Sequence, residues 1–232
     1  MTRRHTVARV GGIVVGGMAV AAAASVLATV AAFRASAGER RRAMPGDAVV
    51  PDPMYVTTQA VTIDAPPERV WPWLAQMGAG RGGWYSVGRI DNGGRPSAST
   101  ILPECQAIAP GDVLPAVPGA PDAFLVVAAE PPRSLVLAVP ADGGSLVSWQ
   151  FLLERAAGGG TRLLVRGRVA RGWRERAAAA PPASADGHPI LIERVYAVLA
   201  RLPAPLLLAV GGLGHRMMQN QQLRGIRRRA EG

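Results

Sequence analysis

The side chains that could carry out acid–base chemistry are scattered along the chain and form no recognised motif. General acid–base catalysis requires a carboxylate, a histidine or a tyrosine within reach of the substrate. The candidates of these types are Tyr85, Asp91, Glu104, Glu193 and His215. None is distinguished by its neighbours in sequence, so the catalytic residues stay unassigned, with Tyr85 and Asp91 kept as candidates.

Other reactive residue types give no motif either. Cys105 is the only cysteine, which excludes an intrachain disulfide and a thiolate metal cluster, and no GxSxG nucleophile motif occurs. The histidines, His5, His188 and His215, lack metal-ligand spacing. Gly78–Gly83 matches GxGxxG, but it follows a predicted helix, whereas a dinucleotide-binding loop follows a strand. We therefore expect no metal ion and no cofactor.

Bulky apolar side chains are better candidates for contact with a small molecule, because ligand pockets are lined mainly by such groups. A glycine-rich loop that ends in Trp84 and Tyr85 could cover the mouth of a pocket. Core packing would use the same residue types, so this alternative stays open. The predicted ligand-binding residues are Trp84, Tyr85, Trp149, Met77 and Phe151.

The composition favours one folded domain with basic surface regions. Of 232 residues, 49% are hydrophobic and 18% are charged, which is enough apolar surface for a core. The formal net charge of +10 is carried entirely by arginine, while aromatic residues make up only 5%. The arginines collect beside apolar segments, which suits an anionic membrane surface better than nucleic acid. We expect no nucleic-acid partner, and the sequence leaves a protein partner undetermined.

Hydrophobic alternation and turn residues predict one helix after the first strand and a run of antiparallel strands. The helix opens at Asp64–Pro67 and is short because Pro72 lies inside it. A hairpin turns through Gly158–Gly160, and the arginines of its second strand are predicted to lie at the surface. The predicted strands are Tyr55–Ile63, Val113–Val117, Phe124–Ala129, Leu135–Val139, Val147–Leu153 and Leu163–Val169.

A C-terminal helix is predicted from apolar residues at helical spacing between Leu191 and Leu202. Pro203 and Pro205 interrupt this pattern, and it resumes in a second apolar stripe. That stripe is Leu206, Val210, Leu213 and Met217. The uncharged run from Leu202 to Gly214 is too short to span a bilayer as a helix, so core packing is expected.

The N-terminal region predicts a membrane anchor. Val10–Phe33 contains no charged residue over 24 positions, enough for one transmembrane helix. The alternative is a secretory signal cleaved at Ala35–Ala37, although its apolar region is longer than signals usually have. The arginines after the span slightly outnumber those before it, which favours a cytoplasmic domain. We therefore expect an N-terminal arm and membrane helix over residues 1–34, a linker over 35–53 and the globular domain over 54–232.

Several short phrases occur in a fixed order along the globular part. They are Thr62-Ile63-Asp64-Ala65-Pro66-Pro67-Glu68-Arg69-Val70-Trp71-Pro72-Trp73-Leu74, Gln76-Met77-Gly78, Arg81-Gly82-Gly83-Trp84-Tyr85-Ser86, Gly111-Asp112, Ser148-Trp149, Thr161-Arg162-Leu163 and the ending from Leu223 to Glu231. In this order they resemble the START-like superfamily, also called SRPBCC, and in particular its polyketide cyclase/dehydrase-like branch. The resemblance covers Tyr55 to Glu231.

This resemblance implies an α+β helix-grip fold, in which an antiparallel sheet wraps around a long C-terminal helix and encloses a cavity. The superfamily includes lipid carriers, aromatic cyclases, hormone receptors and co-chaperone-like modules, so the fold alone does not define a function. We expect a membrane-tethered domain that binds an apolar small molecule, either a lipid or a polyketide-like compound. The alternatives are a cyclase/dehydratase-type enzyme with acid–base groups in the cavity and a protein-interaction module.

Overall fold

The computed structural model describes residues 33–119, 123–178, 198 and 201–232. The predicted membrane helix lies outside these residues except for Phe33, and so does most of the apolar pattern between Leu191 and Leu202. Within the described part of the chain, no helix has both the length and the hydrophobicity needed to cross a membrane.

The described residues form an α+β fold built on one antiparallel sheet. The strands lie side by side in the order β1-β6-β5-β4-β3-β2. Their bounds are β1 Pro53–Ile63, β2 Val113–Pro115, β3 Ala123–Glu130, β4 Ser134–Ala141, β5 Gly144–Arg155 and β6 Thr161–Ala170. All six predicted strands are confirmed, because alternating apolar residues bounded by Gly, Pro and Asp are typical of a meander with one buried face.

The hairpin between β5 and β6 is the most regular part of the sheet. Val147 pairs with Val169, and Arg155 pairs with Thr161. The connection needs residues with positive φ, which Gly158 and Gly159 supply at +82° and +85°. Strand β1 then pairs with β6 along its whole length, so the first and last strands of the sequence are neighbours.

Five α-helices lie within the described ranges: α1 Ala37–Arg41, α2 Pro67–Ala75, α3 Gly88–Asp91, α4 Trp173–Ala178 and α5 Ala204–Glu231. Helix α2 is short, as predicted, and begins with Pro67, whose missing N–H is not needed in the first turn. Helix α5, with 28 residues, packs against the face of the sheet that we call the inner face. The six-stranded sheet and the long C-terminal helix agree with the predicted α+β fold.

The main core lies between the inner face, α2 and the C-terminal half of α5. Ile63 and Leu163 from the sheet are fully buried there, together with Leu74 of α2 and Ile226 of α5. Burial of a side chain of this size contributes about 1.5–3 kcal/mol. This packing fixes α5 against the sheet at its C-terminal end.

The N-terminal half of α5 differs from the prediction. Leu206, Val210, Leu213 and Met217 were expected in the core, yet they are 52%, 48%, 38% and 38% exposed. Helical spacing places them together on one side of α5, but the helix buries its opposite side. Periodicity identified the stripe correctly and assigned it to the wrong side.

The segment predicted as a linker, residues 35–53, packs against the other face of the sheet, which we call the outer face. Its apolar side chains Ala35 and Met44 form a second core cluster with Ala60, Leu152 and Leu164. Most of this segment is therefore part of the packed fold rather than a free connection. The division of the chain at residues 34 and 53 stays a prediction.

Arg166 of β6 corrects a further expectation, because it was predicted at the surface and is only 2% exposed. Its guanidinium donates hydrogen bonds to the main-chain oxygens of Glu39 and Arg42 at 2.9 Å and pairs with Asp47 at 2.8 Å. A buried cation needs both an opposite charge and hydrogen bonds to be tolerated. The packed 35–53 segment supplies them, and Arg166 holds that segment on the sheet.

The other two arginines of β6 also contact the 35–53 segment. Arg162 pairs with Glu39 at 2.8 Å, and this hydrogen bond is the main reason why the pKa of Glu39 is lowered to about 2. Arg168 donates to the main-chain oxygen of Val50 at 2.8 Å and lies 3.4 Å from Asp47. The outer face of β6 is therefore a covered surface rather than a solvated one.

Candidate functional site

The inner face is closed at one end and open at the other. At the end near Ile63 the inward side chains of β1, β5 and β6 are buried, and we call this the closed end. At the other end the inward residues Tyr55, Val147, Trp149 and Val169 are only partly buried. We call this the open end.

An aromatic cluster begins at the open end with Trp149 and extends into the main core, where Trp84 and Phe151 are buried. The rings of Trp84 and Trp149 are 5.3 Å apart between centroids, and those of Trp149 and Phe151 are 5.0 Å apart. Phe124 of β3 lies 5.4 Å from both tryptophans. The structure thus brings together three of the predicted ligand-binding residues and adds Phe124, which the sequence analysis missed.

Met77, another predicted residue, is connected to this cluster through two glutamines of α5. The indole nitrogen of Trp149 donates to Gln219 Oε1 at 2.9 Å, and Gln219 Nε2 donates to Gln222 Oε1 at 2.6 Å. Gln222 Nε2 in turn donates to the sulfur of Met77 at 3.6 Å. This chain of hydrogen bonds fixes the orientation of the Trp149 ring.

Tyr85 lies apart from the aromatic cluster. Its backbone has φ of +59°, and its ring packs edge-on against Trp73 at 6.0 Å and under the guanidinium of Arg229 at 4.8 Å. Burial raises the pKa of its hydroxyl still further above the usual value of 10.0. These contacts lie toward the closed end and support packing more directly than ligand contact.

Asp91, the other candidate for catalysis, is buried at the end of α3. Burial raises the pKa of its carboxyl group, and the nearby Ser86 and backbone groups offset this only in part. Among the described residues no hydrogen bond joins Asp91 to Tyr85. Of the remaining acid–base candidates, Glu104 is exposed and Glu193 lies outside the described residues.

A cluster of polar groups, which we call the polar cluster, lies beside the aromatic one. It consists of Thr57 and Gln59 on the inner face of β1 and His215 on α5. Across the sheet Thr57 pairs with Gly167, and Gly167 pairs with Trp149, so the two clusters are in adjacent rows. A Cβ on Gly167 would lie 3.3 Å from Thr57 Cγ2 and 3.5 Å from His215 Nε2, which places these two side chains over the same glycine.

Each member of the polar cluster has a buried atom without a hydrogen bond. Among the described residues, Thr57 Oγ1, Gln59 Oε1 and His215 Nε2 have no partner, although Gln59 Nε2 donates to Asn220 Oδ1. An unsatisfied buried polar atom costs about 1–3 kcal/mol. Three such atoms on neighbouring elements are therefore expensive for the fold unless a hydrogen-bonding group reaches them.

His215 is neutral at physiological pH. Burial, assisted by the positive charge of Arg216, lowers its pKa from 6.5 to about 4. A neutral imidazole has one nitrogen that donates and one that accepts, so it can serve either kind of ligand group. Sequence reasoning named His215 without finding its partners.

A signal for Thr57 and Gln59 was present in the sequence. They share the two-residue spacing of Val61 and Ile63, so all four occupy inward positions of a strand whose inner face must be buried. Polar side chains at such positions are unusual and mark either a hydrogen-bonding network or a binding site.

In the described part of the chain, no group of three or more His, Cys, Asp or Glu could hold a metal ion.

Comparison with known proteins gives weak structural matches. No model of a protein family matches the chain, and no curated protein matches it. Three solved structures that resemble it are a polyketide-cyclase-like protein from Corynebacterium glutamicum (17% identical, 73% of this chain and 90% of that chain covered, TM-score 0.37), the KanY protein (16%, 77% and 98%, 0.38) and CalU16 from Micromonospora echinospora (15%, 73% and 83%, 0.31). These TM-scores are low, so the fold is assigned from the chain's own strand order and C-terminal helix.

Proposed function

We propose that this domain binds an apolar small molecule, a lipid or a polyketide-like compound, between the open end of the sheet and α5. The observation that carries the proposal is the polar cluster, whose three buried polar atoms lack partners among the described residues and lie in a row next to Trp149. Pockets of this class are mostly apolar and contain a few polar groups that orient the ligand.

The chemistry of the polar cluster constrains the polar group of the ligand. Gln59 Oε1 can only accept a hydrogen bond, whereas the hydroxyl of Thr57 and the neutral imidazole of His215 can each donate or accept. A ligand hydroxyl, which both donates and accepts, therefore suits the cluster better than a carboxylate. The apolar part of the ligand would lie against Trp149 and Trp84.

Two hydroxyls of the sheet provide a matched test. Thr57 on the inner face and Ser148 on the outer face are both buried, and both hydroxyl oxygens lack a partner among the described residues. Native mass spectrometry of full-length protein, extracted from its membranes in mild detergent, would show a small-molecule adduct that denaturation releases. We expect Thr57→Val to lower the adduct-bound fraction several-fold and Ser148→Ala to leave it unchanged.

Two results would contradict the binding proposal. A clean apo mass, reproduced from native membranes, would mean that no ligand is carried. An equal loss of adduct in both variants would mean that the inner position has no special role.

Catalysis of the cyclase/dehydratase type is a second candidate, and the position of His215 favours it. A neutral histidine beside a bound ligand could act as a general acid or base. This candidate predicts that the co-purified ligand changes mass on incubation, and that His215→Gln stops the change while the adduct remains. An unaltered ligand mass would contradict catalysis and leave binding as the proposed function.

The membrane part of the proposal is supported by the sequence of the N-terminal region. Val10–Phe33 is uncharged and long enough for one span, and the arginine count favours a cytoplasmic domain. The domain would then be a tethered carrier whose ligand comes from, or returns to, the same membrane.

A further inference from the structure

The exposed side of α5 carries an apolar surface that the binding site does not use. Leu206, Val210, Leu213 and Met217, which we call the outer stripe, are spaced by four, three and four residues and so share one side of the helix. Large side chains exposed in a row are unusual on a protein surface and mark an interaction site.

Charge limits the kind of partner that fits the outer stripe. Between residues 201 and 230 the chain contains no Asp or Glu. The arginines of this region are Arg201, Arg216, Arg224, Arg227, Arg228 and Arg229. A second copy of the chain would bring arginines against arginines. A bilayer with anionic headgroups complements both the apolar stripe and the arginines, because its interior is apolar and its surface is negatively charged.

The position of Phe33 also favours a membrane. Arg224 follows Met217 by seven residues, about two helical turns, so it continues the line of the outer stripe. Its guanidinium lies over the ring of Phe33, 5.4 Å from the centroid. Phe33 is the last residue of the uncharged segment that begins at Val10. Phe33 therefore lies on the same side of α5 as the outer stripe.

We propose that the outer stripe inserts into the interface of an anionic lipid bilayer, with α5 lying along the membrane surface. The proposal rests on the membrane tether described above and extends it. Arg216 and Arg224 would lie at the level of the headgroups, where basic side chains are attracted to anionic lipid. The domain would then be held at a fixed orientation rather than hanging from its anchor.

This orientation gives the open end a route to lipid. The N-terminal half of α5 lies over the open end, since a Cβ on Gly212 would come within 2.7 Å of the Tyr55 hydroxyl. A stripe seated in the bilayer would place this part of the interior about one helix diameter, roughly 10 Å, from the membrane interface. An apolar ligand would then have a short path between bilayer and site around α5.

Fluorescence of the full-length protein tests this arrangement. Cys105→Ser removes the only cysteine, after which Leu213→Cys can carry an NBD label on the outer stripe. Val113→Cys is the matched control, because Val113 is also an exposed apolar residue, 61% accessible, but lies on β2 at the opposite edge of the sheet from β1. The proteins are reconstituted in phosphatidylcholine–phosphatidylglycerol vesicles with and without a spin-labelled lipid.

We expect a blue-shifted emission at position 213 that the spin-labelled lipid quenches several-fold more strongly than at position 113. A water-like emission at both positions overturns the proposal. A blue shift without quenching by lipid also overturns it, because a protein surface, either the N-terminal segment or a second copy, would then cover the stripe. Protein that fails to float with the vesicles overturns it as well.

The same preparations separate this proposal from the binding proposal. Native mass spectrometry reports the small-molecule adduct independently of the label. Adduct without lipid quenching would overturn only the proposal that α5 lies along the membrane surface. Lipid quenching without an adduct would overturn the binding proposal alone.

Discussion

The two halves of α5 are built for different purposes. Its C-terminal half buries Leu223, Ile226 and Ala230 against the closed end, with α2 packed beside it. Its N-terminal half exposes the outer stripe on one side and carries the unpaired Nε2 of His215 on the other. The first arrangement stabilises the fold, whereas the second lowers its stability unless something binds. Under the binding proposal, the closed end holds the structure and the open end takes the ligand.

The largest expected difference between the halves comes from side-chain truncation. Ile226→Ala removes a fully buried side chain and should lower the free energy of unfolding by about 2–5 kcal/mol. Leu213→Ala removes an exposed one and should change it by no more than about 0.5 kcal/mol. Urea unfolding of the full-length protein in mild detergent measures both, and similar losses would contradict the division of α5.

Glycine substitutions in the same helix sharpen the comparison. A Cβ on Gly225 would overlap the main-chain oxygen of Tyr85, so Gly225→Ala forces α5 away from its neighbour. We expect a loss of about 1–3 kcal/mol from this overpacking. A Cβ on Gly214 meets nothing within 4 Å, so Gly214→Ala should gain about 0.5–1 kcal/mol from helix propensity. The melting temperature should therefore fall for Gly225→Ala and rise for Gly214→Ala. A shift in the same direction for both variants would contradict the difference between the two halves of α5.

The pH dependence of stability gives a gradual effect from the open half. His215 binds a proton near pH 4 in the folded protein but near 6.5 when unfolded. The unfolded chain therefore holds more protons between these values, and the free energy of unfolding should fall as the pH drops from 6.5 to 4. The slope is at most about 1.4 kcal/mol per pH unit for one proton. Urea titrations across this range should show a shallower fall for His215→Gln; equal slopes would place His215 in a hydrated environment.

The fold was largely predictable because its determinants are local. Alternation along β5 and β6 and the glycines between them define a hairpin, and Pro67 defines the start of α2. These patterns depend on which residues must be buried, which a single sequence records directly. The outer stripe shows the limit, because periodicity reports that a helix has an apolar side and not which surface that side meets.

The site was predictable only in part because it depends on contacts between distant residues. Trp84, Trp149 and Phe151 were chosen for their size, and the structure brings them together. The polar cluster joins Thr57 to His215, which are far apart in sequence, so composition could not reveal it. Arg166 was misplaced for the same reason, since its partners lie in the 35–53 segment that lacks any clear pattern.

The central claim is that a ligand occupies the open end and satisfies the polar cluster. A crystal structure of the full-length protein purified from its native membranes tests this most directly. The account predicts density for a small molecule against the Trp149 ring, with a polar atom within hydrogen-bond distance of Thr57 Oγ1, Gln59 Oε1 or His215 Nε2. Density that is absent there, with all three atoms hydrogen-bonded to protein or water, would contradict it.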